Sequence, residues 1–85
     1  MSKPLTIELI HMKTKTNRIE SIKSLNLWGN DLDDISIVTQ MGQIEVLSLA
    51  VNYISSLKDV QHCQNLRELY LRKNLISNLN EIRYL

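Results

Sequence analysis

Apolar residues recur along this chain in a frame of 22 residues. Ile22, Leu25, Leu27, Leu32, Ile35, Val38 and Met41 are matched by Ile44, Leu47, Leu49, Ile54, Leu57, Val60 and Cys63. These in turn are matched by Leu66, Leu69, Leu71, Ile76, Leu79, Ile82 and Leu85, without insertion or deletion. An asparagine stands at the same place in each line, as Asn30, Asn52 and Asn74. At 44% hydrophobic content, a match this complete arises by chance at roughly 10⁻⁸ in a fixed frame.

Local pattern assigns elements within each line. The alternation around the second and third apolar positions predicts short parallel strands over residues 24–28, 46–50 and 68–72. Leu25 and Leu27, with their equivalents, then point inward, and Ser24, Asn26 and Trp28 point outward. Polar pairs follow each asparagine: Asp33–Asp34, Ser55–Ser56 and Ser77–Asn78. All are capping residue types placed ahead of an apolar residue, so the chain is expected to return through a short α or 3-10 helix. The amides of Asn30, Asn52 and Asn74 are expected to form a structural ladder, pairing with backbone groups that leave the strands at the bend.

This pattern, L-x-x-L-x-L-x-x-N-x-L, predicts an α/β leucine-rich-repeat solenoid. Its short parallel sheet is concave, and its helical or 3-10 returns are convex. Residues 22–43, 44–65 and 66–85 are the expected repeats. Residues 1–21 lack the pattern and are read as an N-terminal helical cap. A helix over residues 6–13 would use Leu5, Leu9 and Met12 as its apolar stripe. Asn17 with Glu20 has the form of a capping pair for a short turn over residues 18–22. No polar segment follows Leu85, so a truncated array is expected, with stacking of the bare end on another molecule as the alternative.

Composition narrows the function classes. The net charge of +1 argues against a nucleic-acid binder that depends on phosphate contacts. No apolar run is long enough to span a bilayer, and the first residues do not read as a signal peptide. The single cysteine, Cys63, falls in an inward column, so a reducing compartment is expected. His11 and His62 are too scattered for a metal site, and Asp31, Asp33 and Asp34 read as caps in a solvated turn rather than a calcium loop. No nucleophile–base pair or phosphate cradle is visible, so neither catalytic residues nor cofactors are expected. The outward columns are more informative. Asn26, Trp28, Ser48, Ala50, Tyr53, Glu68, Tyr70 and Arg72 form a mixed strip with the aromatic and arginine types enriched at binding hot spots. A protein partner is the expected ligand.

The stretches SIKSLNLWGNDLDDISI, IEVLSLAVNYISSL and CQNLRELYLRKNLISNLNEIRYL resemble the 22-residue repeat class typified by a protein-phosphatase regulatory subunit. More narrowly, the chain resembles the N-terminal repeat domain of cilia- and flagella-associated leucine-rich-repeat proteins. The NLWG and ELYLRKN fillers are the discriminating pieces. The resemblance implies a non-enzymatic scaffold of the cilium and basal body, cytoplasmic and cytoskeletal, with a role in cilium assembly and a NIMA-related kinase among its partners. Two other readings stay open: a generic cytosolic phosphatase- or axonemal motor-associated subunit, and an RNA-associated structural subunit.

Overall fold

The computed structural model describes residues 3–76 and 79–85, with the side chains of Leu79, Asn80 and Ile82 outside that description. Three short strands, β1 (Ser24–Asn26), β2 (Val46–Ser48) and β3 (Glu68–Tyr70), form one parallel sheet in the order β1-β2-β3. Its register follows the sequence frame: Leu25 is opposite Leu47, and Leu47 is opposite Leu69. The chain returns from each strand through a 3-10 helix: Ser36–Gln40, Lys58–His62 and Leu79–Tyr84. Parallel strands require such crossovers, and adjacent returns pack on one another as adjacent strands do. Among the described residues, no helix is long and apolar enough to cross a membrane.

The strands are shorter than the alternation predicts. Beyond Asn26 the ladder continues on one side only, with Leu27 N–H bonded to Ser48 O at 2.8 Å and Gly29 N–H to Ala50 O at 3.0 Å. Asparagine amides take over the carbonyls of Leu27 and Leu49, so the strand ends where the side chain replaces the neighbouring backbone. Two residues after each pair of inward leucines the chain turns left-handed, at Gly29 (φ 69), Val51 (φ 61) and Lys73 (φ 58). Only glycine adopts that conformation freely, so the surrounding hydrogen bonds hold Val51 and Lys73 there.

The core is the set of inward columns. Leu27, Met41, Leu47 and Leu49 are fully buried, and Ile44 and Ile54 nearly so. Cys63 occupies its inward place at 5% exposure, with Sγ 3.5 Å from the Val38 carbonyl oxygen, and burial pushes its thiol pKa up. The columns are less covered in the third unit: Leu66, Leu69, Leu71 and Ile76 are half-buried, and Leu85 is 66% exposed.

A helix, α1 (Ile7–Thr14), covers the β1 side. Thr6 caps it, its hydroxyl accepting from Leu9 N–H at 3.1 Å, and Lys15 ends it in the left-handed region. The expected stripe of Leu5, Leu9 and Met12 is corrected. Ile10 is fully buried, Leu9 is half-buried and Met12 is 60% exposed. Leu5 is buried but precedes the helix, its N–H held by Asp34 O at 2.8 Å, so a helical phase counted from Leu5 is displaced. The Asn17 cap is not formed either. Thr16 Oγ1 accepts from Arg18 N–H at 3.2 Å, and the 3-10 turn Ile19–Ser21 begins too late for Asn17 to serve it. Glu20 instead meets Arg18 at 3.4 Å on the surface.

Candidate functional site

Asparagine chemistry fixes the bend that presents the outer face. Asn52 is buried at 5% exposure and uses both ends of its amide. Its Oδ1 accepts from Asn30 N–H at 3.1 Å and Leu32 N–H at 2.9 Å. Its Nδ2 donates to Leu27 O, Leu49 O and Ala50 O at 3.0, 2.8 and 3.2 Å. Asn74 repeats the arrangement one unit on, accepting from Ile54 N–H at 3.0 Å and donating to Leu49 O at 2.8 Å and Leu71 O at 3.0 Å. Each amide thus clasps the preceding unit. Asn30 follows the helical cap rather than such a unit, and among the described residues its Nδ2 reaches only the Trp28 carbonyl, at 3.1 Å. The three are therefore not equivalent members of the ladder.

The polar pairs after the asparagines serve the returns. Asp34 Oδ1 accepts from Ser36 N–H at 2.9 Å, a bond that holds its carboxyl below the ordinary aspartate range. Ser56 Oγ accepts from Lys58 N–H at 3.2 Å. Ser77 and Asn78 lie outside the described residues. Two contacts have no signature in the repeat. Asp33 Oδ1 accepts from Lys3 N–H at 2.8 Å, fastening residues 3–5 along the first bend. Glu81 Oε1 accepts from Leu57 N–H at 2.9 Å and from Ser56 Oγ at 3.0 Å. The Leu57 bond is the main reason the Glu81 carboxyl lies below its ordinary value.

These supports leave a strip of side chains on the solvent face of the sheet. Trp28 is 62% exposed, Tyr53 53% and Tyr70 50%. Asn26, Glu68 and Arg72 are also exposed, and Ser48 is half-buried. Ala50 departs from its expected role at 8% exposure. It lies mid-sheet with a strand on either side, and its methyl is too short to clear Trp28 and Arg72 in the same column, so it floors the strip rather than offering a contact. Within the strip, Tyr70 Oη donates to Glu68 Oε1 at 2.5 Å, and this bond together with the carboxylate charge raises the phenol pKa. Asn26 is partly engaged, its Oδ1 accepting from Trp28 N–H at 3.1 Å.

Trp28 does not fold beneath the N-terminal helix. It forms one wall of an open groove of about 510 Å³ between α1 and β1, lined also by Lys13, Thr14, Ser24 and Asn26. Lys13 and Thr14 escaped the repeat-based reading because they belong to the cap. The exposed Leu75, at 57%, extends the apolar margin in the column of Tyr53. The arrangement offers aromatic faces, a flanking cation and a carboxylate. Among the described residues it gathers no nucleophile with a base: His11 Nδ1 lies 2.9 Å from the Thr16 carbonyl oxygen.

No protein-family profile matches the chain. It is 46% identical over 81 residues to human cilia- and flagella-associated protein 410 and 43% identical to the mouse protein of that name, covering 95% of this chain and 32% of each relative. A Caenorhabditis elegans protein described as uncharacterized is 48% identical over 81 residues, 17% of its own length. The chain thus spans a third or less of the length of the curated relatives it matches, and over that span it is similar to the cilia- and flagella-associated proteins 410 of mouse and human.

Proposed function

We propose that this chain is a leucine-rich-repeat solenoid that acts in the cilium or flagellum as a non-enzymatic protein-interaction module. The observation that carries the reading is Trp28, 62% exposed on the same sheet face as Tyr70 and Arg72. A tryptophan left in water on a rigid strand gains most when a partner covers it. The ciliary assignment rests on the similarity to proteins named cilia- and flagella-associated. Scaffolding at the basal body and a NIMA-related kinase as partner belong to the same proposal, on the resemblance of the repeat fillers.

The residues have separate roles. Trp28 and Tyr70 are the anchors, Tyr53 widens the apolar margin, and Arg72 and Glu68 orient the ligand by charge. Replacing Trp28, Tyr70 and Arg72 together by alanine alters exposed side chains only, so the triple variant is expected to fold. In co-precipitation from ciliated cells the variant is expected to lose the partners that the wild-type chain recovers. Unchanged recovery by the folded variant would overturn the assignment of this face.

A further inference from the structure

We propose that the groove between α1 and β1 binds an acidic segment of a protein partner. An aspartate or glutamate side chain of that segment lies against Lys13, and the apolar residue beside it covers the Trp28 ring. The inference rests on the reading of the sheet face as a protein-binding surface, and it names the chemistry that part of the face receives. The groove, about 510 Å³, falls in the range of small-ligand pockets, roughly 300–1,000 Å³. Its walls are Lys13 and Thr14 from the end of α1, Ser24, Leu25 and Asn26 from β1, and Trp28.

The polar groups of the groove are unevenly engaged. Thr14 Oγ1 donates to Ile10 O at 2.8 Å and accepts from Thr16 N–H at 3.3 Å, so it serves the end of the helix. Asn26 Oδ1 accepts from Trp28 N–H at 3.1 Å, which occupies the acceptor of its amide and leaves the Nδ2 donor. Lys13 and Ser24 are exposed, and among the described residues neither side chain has a hydrogen-bond or ion-pair partner. The groove therefore presents a cation, a hydroxyl and an amide donor, and no carboxylate lines it. Glu68 shares the column of Ser24 but stands two strands away, about 10 Å at ordinary strand spacing, and Tyr70 Oη donates to it. A ligand that satisfies this set brings acceptors and one negative charge.

A carboxylate fits the set better than a phosphate. Phosphate recognition favours several cations or the fork of an arginine, whereas a single lysine flanked by neutral donors matches one unit of charge. The groove is open rather than closed around a chain end, so the carboxylate is that of a side chain. Trp28 supplies the other half of the site. At 62% exposure its ring offers an apolar face for the neighbouring residue of the segment. That contact also removes water from around the ammonium, which strengthens its hold on the carboxylate. Lys13 lies in the last turn of α1 and complements the helix dipole as well. That role concerns stability alone and would leave ligand preference untouched.

Trp28 is the single tryptophan of the chain, so its fluorescence reports directly on the groove. The probe is acetyl-Ser-Leu-Glu-Leu-Ser-amide, compared with the same peptide carrying Gln or Lys in place of Glu. Lys13 is exposed, so Lys13→Gln and Lys13→Glu should keep the fold, which circular dichroism checks. With the wild-type chain the Glu peptide is expected to shift Trp28 emission to the blue in a saturable way. Its affinity should exceed that of the Gln peptide about three- to fivefold, the scale of one exposed charge pair, and that of the Lys peptide by more. Lys13→Gln should erase the preference for Glu over Gln, and Lys13→Glu should reverse the order so that the Lys peptide binds best. No saturable shift with the Glu peptide, or an order that Lys13→Glu leaves unchanged, would overturn the proposal. Co-precipitation separates the groove from the wider face, and Lys13→Glu is expected to weaken recovery of the same partners. Partners lost by the Trp28, Tyr70 and Arg72 triple variant but fully kept by Lys13→Glu would leave the sheet face standing and overturn the acidic groove.

Discussion

The second and third units carry the same pattern of apolar residues and asparagine but do not share the same environment. Leu47 and Leu49 are fully buried, and Asn52 is 5% exposed. Their equivalents Leu69, Leu71 and Asn74 are half-buried. Within these residues the second unit packs against both the first and the third. In this stack a leucine gains its burial from the unit that follows it as much as from its own strand. The consensus therefore marks where apolar surface must go, and position in the stack decides how much of it reaches dry packing.

Cavity formation should separate the two units most. Leu49→Ala is expected to cost about 2–5 kcal/mol, the range for a buried leucine whose site collapses only partly. Leu71→Ala should cost no more than roughly half as much, because water already reaches part of that side chain. Urea denaturation of the two variants checks this, and equal losses would erase the distinction.

The asparagines give a somewhat smaller contrast. Asn52→Ala strands Leu32 N–H and the carbonyls that the amide serves, each at about 1–3 kcal/mol when left unsatisfied and buried. A loss of about 2–4 kcal/mol is expected after local rearrangement. Asn74→Ala should lose less, since its surroundings admit water, and Asn30→Ala least, because its amide reaches a single carbonyl. Thermal melts of the three variants should rank in that order.

Glu81 provides the smallest test, and it concerns the clasp between the third return and the second. Its pKa is lowered in the fold, chiefly by the Leu57 N–H bond. A lowered carboxyl contributes stability that is present above its unfolded value and is lost as pH falls through the folded one. Acidification below the ordinary glutamate range should therefore loosen the start of the Lys58–His62 helix. The Leu57 amide should then exchange faster with solvent. Glu81→Gln should remove much of that pH dependence and lower neutral-pH stability by about the small amount that acid removes from the wild type. A variant whose acid limb matches the wild type would show that the clasp is idle in solution.

Much of this architecture was legible because a fixed period constrains it heavily. The strand centres, the register, the inward columns and the place of each asparagine follow from the 22-residue frame. The departures come where a residue answers to something outside that frame. Met12 is exposed because Leu5 belongs to an extended segment paired with the first bend, not to the helix. Asn17 caps nothing because Thr16 reaches the Arg18 amide instead. Ala50 is covered because its column neighbours are longer. The Lys3–Asp33 contact reaches into the cap, outside the frame, and the Glu81–Leu57 contact is not repeated by Asp59 in the same column among the described residues, so no column signalled either. The exposed strip was legible as a set of outward positions, whereas the Tyr70–Glu68 bond and the groove between Trp28 and Lys13 depend on side-chain direction.

Residue-resolved hydrogen exchange on the dilute chain tests the central contrast most directly, since it reports the units one amide at a time. The amides of Leu32, Leu49 and Ile54 should be the slowest, opening only with global unfolding. Leu71 and Ile76, which are half-buried, should exchange far faster. Uniform protection across all three units would contradict the burial gradient.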